Sequence, residues 1–224
     1  MKEMHRLLLT SSAYRMSNTF DENAYLKDPK NDLLWRYEMR RLSAEELRDS
    51  ILATAGVLNP KLGGKSIYPP LPRAVLETAS RPDQAWDNSS MEDASRRSLY
   101  VFTKRSLRHP FLEGFDQPDT DRPCSVRFAT TVPTQSLMML NSEFLNEHAR
   151  LMAQRLQRER PGDLDGQLTR GLELALCRPV DQSEVDVMRE LVQELQREDD
   201  LDRTQALEAA CLLILNLNEF MHVR

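Results

Sequence analysis

A mainly α-helical fold is what this sequence predicts, and three observations predict it. Apolar residues recur every three or four positions through most of the second half, which gathers them on one side of each helix. Only seven glycines occur in 224 residues, against twelve prolines and ten methionines, too few for a turn-dense β-sandwich. One segment alone, Ser98–Lys104 (SLYVFTK), has the β-branched and aromatic content of a strand. With 40% hydrophobic and 29% charged residues the chain can bury a sizeable core, and its length suits one large or two small domains.

The elements follow in order. From Ser43, the residues Ala44, Leu47, Ile51, Ala55 and Leu58 make one apolar face. Ser43 and Glu46 form a capping-box pair that satisfies two free amides of the first turn, and Gly56 can end the helix. Arg41, Glu45 and Arg48 fall at helical spacings, so they read as ion pairs along this helix. Residues 59–133 differ: Pro60, Pro69, Pro70, Pro72 and Pro82 forbid a continuous helix through the first part. Beyond them come four amphipathic stripes. Leu145–Leu156 closes at Pro161-Gly162, Leu164–Ala175 closes at Arg178-Pro179, Val185–Leu195 starts from Ser183 as N-cap, and Ala206–Leu217 is the most apolar. The expected organisation is a helical part over 1–58, an irregular middle over 59–133, and a bundle over 134–224 with at most a small strand pair.

Composition also bounds function. A net charge of −5 does not support nucleic-acid binding by global charge. No GxGxxG or GxxxxGK appears, so a glycine-loop nucleotide site is excluded. The N-terminus lacks the apolar run of roughly 7–15 residues of a signal peptide. Ala209–Asn218 is about half the ~20 apolar residues that span a bilayer. Cys124, Cys177 and Cys211 form no CxxC or CxxCH motif, and His5, His109, His148 and His222 are scattered, so no metal site is predicted. Cys177 and Cys211 read as core residues; Cys124, in a polar loop, is the candidate reactive thiol or bridge partner.

The charged middle segment holds the candidate site. Arg96, Arg97, Lys104, Arg105 and Arg108 form a basic run, followed at once by Glu113, Asp116, Asp119 and Asp121. Together with Arg127 the basic residues could make a binding surface, or simply a solvated edge. The loop Asp116–Asp121 offers alternating oxygens, but an EF-hand counted from Asp116 would need Gly and Glu where Asp121 and Arg127 stand. His109, with Glu113, Asp116 and Asp119, is the weak candidate for acid–base work.

The order of several pieces resembles a known family. These are His5-Arg6-Leu7 through Tyr14-Arg15, NDLLWRYEMRRLSAEELRD (31–49), RRSLYVFTKR (96–105), FDQPD (115–119), Cys124 with Arg127, TTVPTQ (130–135) with Leu140-Asn141-Ser142, LCRP (176–179) and LNLNEF (215–220). They resemble the C-terminal domain of unknown function of planctomycete-type proteins that carry an N-terminal cytochrome c-like domain. The resemblance implies one family domain over 1–224, its beginning open to having been clipped, and a periplasmic or cell-envelope setting, with haem held only by the attached domain and no cofactor in this chain. It names no reaction. The leading expectation is a non-enzymatic interaction or structural module partnered by another protein or by companion domains. The alternative is a ligand- or carbohydrate-binding or hydrolytic site on His109, Glu113, Asp116, Asp119 and Arg127, with a polysaccharide as partner.

Overall fold

Thirteen α-helices, one 3-10 turn and one two-stranded sheet make up the regular structure of the described residues, 1–223, in this computed structural model. The mainly α class is as the periodicity predicts. The chain divides into two units: Met1–Arg41 with the C-terminal segment from His222, and Leu42–Met221.

In the first unit, α1 (Lys2–Thr10) buries no residue. α2 (Glu22–Lys27) starts from Asp21, whose carboxylate accepts the Ala24 N–H at 2.7 Å. Asp28 then shapes the loop, accepting the N–H groups of Asp32 (3.0 Å) and Leu33 (2.7 Å) while its carbonyl takes the Trp35 indole N–H. The Arg36 guanidinium covers the Trp35 ring at 4.9 Å. β1 (Arg40–Arg41) pairs antiparallel with β2 (His222–Val223).

The second unit opens with α3 (Ala44–Ala55), whose capping box forms as expected and whose end is Gly56 at φ 79°. A side chain there would be strained and would also meet the Arg155 stem at 3.0 Å. Arg155 is held close because it donates to the last carbonyls of α3, Ala53 and Thr54. Three single turns follow, α4 (Arg73–Leu76), α5 (Pro82–Ala85) and α6 (Met91–Ala94), then the 3-10 turn Ser98–Tyr100 and α7 (Pro110–Gly114). The C-terminal helices are α8 (Pro133–Asn141), α9 (Glu143–Glu159), α10 (Leu164–Leu176), α11 (Gln182–Glu198), α12 (Arg203–Leu215) and α13 (Asn218–Met221).

α9 is the axis of packing, against α12, α3 and α10, and α11 closes on α12. Leu145, Met152 and Leu156 of α9 meet Ala210, Ile214 and Leu215 of α12 in one core that also takes in Leu47 and Ile51 of α3, all at most 1% exposed. Each such Leu or Ile contributes about 1.5–3 kcal/mol by leaving water. A satellite cluster of Ala85, Trp86 and Leu107 sits under the proline segment, with the Trp86 indole N–H on the Pro69 carbonyl at 2.8 Å. The chain enters the unit at Leu42 and leaves it at Met221, and the Leu42 N–H donates to the Met221 carbonyl at 2.8 Å.

Three local expectations are corrected. Ser98–Lys104 is not a strand: its first residues are the 3-10 turn, and Val101 makes a single parallel bridge to Ile67. The partner segment runs at once into Pro69 and Pro70, which have no N–H to continue a ladder. The N-cap of α11 is Asp181 rather than Ser183, because Glu184 reaches back to the Asp181 N–H at 2.9 Å. Cys177 is exposed, at the left-handed residue (φ 53°) that ends α10, while Cys211 is fully buried as expected.

Candidate functional site: an apolar groove above Arg48 and His109

The charged residues of the middle segment do not gather. Arg96 is buried and donates to the carbonyls of Lys61, Gly63 and Lys65, with its guanidinium 4.1 Å from the Tyr100 ring centre. Arg97 faces Asp49 at 3.5 Å, Lys104 reaches the Ala85 carbonyl, and Arg105 and Arg108 pair with Asp121 and Glu113. Asp116 holds the Thr130 hydroxyl and N–H at 2.8 and 2.9 Å, and the Asp119 carboxylate accepts the Asp121 N–H. Arg127 grips Glu45 with two bonds of 2.7 and 3.1 Å, which removes Glu45 from the helix network that its spacing suggests. Arg97 and Arg127 share a shallow charged cleft with Glu45 and Asp49. Cys124 is exposed and donates its S–H to the Val126 carbonyl. Among the described residues no cluster of His, Cys, Asp and Glu could hold a metal ion.

His109 alone among these residues lines a larger space. Between α3, the proline segment, α6, α7, α8 and α9 lies a groove of about 770 Å³, within the range of ligand pockets in folded proteins, roughly 300–1,000 Å³. Its walls are mostly apolar: Leu52, Val57, Pro69–Pro72, Phe111, Met138, Phe144 and Leu151. Arg48, 1% exposed, forms part of the floor. Its guanidinium donates to the Ala94 carbonyl (2.7 Å), the Arg96 carbonyl (3.2 Å) and the Ser98 hydroxyl (3.1 Å), leaving Nε without a partner. Burial, the larger cause, lowers its pKa to about 10 against the opposing pull of Asp49.

Two histidines stand beside it. His109 is 7% exposed, and no hydrogen-bond partner reaches its enclosed Nδ1. Burial first, and the Arg48 charge second, push its pKa down to about 3, so the ring is neutral at physiological pH. His148, one turn along α9 from Phe144, bonds that residue's carbonyl through Nδ1 at 2.6 Å and stacks on its ring at 4.2 Å. Burial lowers its pKa too, partly offset by that carbonyl and by Glu147. A neutral imidazole pair beside a guanidinium whose terminal nitrogens are engaged can accept and donate hydrogen bonds, and the apolar walls can hold a hydrocarbon body.

Arg48 and His148 were open to detection in sequence. Arg48 lies four residues from Ala44 and Leu52, on the apolar side of its helix, and a charge in that position needs a buried partner. Residues 143, 144, 147, 148 and 151 likewise share one side of α9.

Fold and site together define a mainly α protein with a preformed apolar groove and no metal-ligand cluster among the described residues. The chain belongs to the PSD1 family, described as "Protein of unknown function (DUF1553)", which it matches over residues 1–192. No curated protein and no solved structure matches it. Among the described residues no helix is long and apolar enough to cross a membrane.

Proposed function

We propose that the Leu42–Met221 unit is a non-enzymatic binding module whose groove takes up an apolar ligand. The observation that carries this reading is the groove itself, about 770 Å³ with largely apolar walls. The carboxylates and guanidiniums that could have formed a catalytic set are instead spent on ion pairs and carbonyls away from it. A protonatable base is also ill served by a histidine held neutral down to about pH 3, far from the operating range that general-base catalysis favours.

The wider setting is the one the resemblance implies: the C-terminal part of a larger planctomycete-type envelope or periplasmic protein, working beside companion domains, one of them cytochrome c-like and holding the haem. The shared order of the sequence pieces supports that setting.

Nile red titrated into the full chain tests the binding reading. Saturable fluorescence enhancement is expected, and filling the groove with Leu71→Trp and Leu151→Trp should abolish it. No saturable signal, or an unchanged one in the filled variant, overturns the reading.

A further inference from the structure

We propose that the groove selects a small organic cation: an apolar body carrying an ammonium or similar N–H-bearing head. This rests on the binding reading above and adds the chemistry of the head group.

Three observations converge. First, the groove's opening carries three exposed carboxylates, Glu92, Glu143 and Glu147, none of which has an ion-pair partner among the described residues. Second, Arg48 is the one basic side chain among the lining residues, and its terminal nitrogens are turned onto the Ala94 and Arg96 carbonyls and the Ser98 hydroxyl. One cation engaged in that way against three unmatched carboxylates leaves the mouth negative. Third, His109 lines the groove as a buried ring that its burial keeps neutral. A neutral imidazole adds no positive charge to the site, so it does not oppose a cationic head.

The arrangement along α9 gives the ligand its polarity. Glu143, Glu147 and Leu151 succeed one another at four-residue spacing, roughly 6 Å per step, on the side that lines the groove. A head held at Glu143 and Glu147 therefore places its body toward Leu151, Leu52 and Val57. Glu143 also serves the first turn of α9, where a carboxylate favours the helix. That role explains neither Glu147 nor Glu92.

Three probes with one apolar body separate the possibilities: 4-phenylbutylamine, 4-phenylbutan-1-ol and 4-phenylbutyrate, titrated into the full chain by calorimetry. The amine should bind roughly three- to tenfold more tightly than the alcohol, the acid more weakly than both, and the preference should shrink in high salt, as exposed charges require. Glu143→Gln with Glu147→Gln should erase the amine's advantage without shifting the melting temperature by more than a few degrees. Equal binding of the three probes, tighter binding of the acid, or Nile red binding without amine binding overturns the cation inference and leaves the apolar groove standing. Failure of all three probes together with Nile red overturns the binding reading beneath it.

Discussion

Acidification should destabilise the protein through His109 before most carboxylates are protonated. In the folded chain this ring stays neutral down to about pH 3, whereas in the unfolded chain it takes up a proton below its ordinary value of 6.5. The folded state thus binds fewer protons between those values, so the stabilisation is complete above pH 6.5 and is lost as pH falls toward 3. From those two values the loss between pH 7 and pH 5 is about 2 kcal/mol, and by pH 3 it approaches about 4–5 kcal/mol. Urea unfolding of the wild type and of His109→Gln at pH 7 and pH 5 isolates the effect, since the amide does not titrate in this range and all other groups are shared. The wild type should lose about 2 kcal/mol more than the variant over that interval. Parallel losses in the two proteins would refute the argument, because they would mean that His109 is protonated in the fold as readily as in water.

Other perturbations follow from the same structure. Arg48→Met keeps the stem but strands two carbonyls and a hydroxyl, so chemical denaturation should show a loss of about 3 kcal/mol. Gly171 of α10 sits where an added Cβ would lie 3.1 Å from Leu156 and 3.3 Å from Ile214. Gly171→Ala should therefore stay within about 1 kcal/mol of wild type, its helical gain offset by crowding, while Gly171→Leu should cost more than about 2 kcal/mol in the same assay. Arg178 binds Glu184 and Glu219 in paired bonds of 2.6–2.9 Å. Its side chain is a third exposed, so Arg178→Ala should cost only about 1 kcal/mol. Arg178, its largest cause, followed by the Asp181 N–H, holds the Glu184 carboxyl down at about 2. That contribution is present above the ordinary carboxylate range and fades as pH falls toward 2, a difference visible in thermal melts at pH 3 and pH 6.

The helices were legible because each carries its own evidence: the stripe of Leu145, Ala149, Met152 and Leu156 needs no knowledge of α12 to declare its buried side. The Ser43–Glu46 box was legible for the same reason. Arg48 was misread because its local neighbours offered Glu45, while its actual partners lie 46 to 50 residues away at Ala94, Arg96 and Ser98. The basic run dissolved likewise: consecutive residues outside regular structure point in unlike directions, so Arg96 goes into the fold and Arg97 to Asp49. The pieces that carried the family resemblance turn out to meet one another. Arg48 and Asp49 of the 31–49 piece receive 96–98, Asp116 of FDQPD holds Thr130 of TTVPTQ, and Arg178 of LCRP grips Glu219 of LNLNEF. The groove belongs to none of them alone, since its walls come from α3, the proline segment, α6, α7, α8 and α9.

The hydrogen bond between Leu42 and Met221 closes the larger unit into a ring of chain with a single gate. A ring has no privileged starting point. Joining residue 42 to 221 by a short linker and cutting at the exposed Asp199–Asp200 turn between α11 and α12 should return the same fold with new termini. The gate also sets how the unit answers force. Tension applied at its two ends opens one bond at a time, like the teeth of a zip, rather than shearing helices past each other. The unit is thus suited to being carried within a longer chain but poorly suited to bearing load along it.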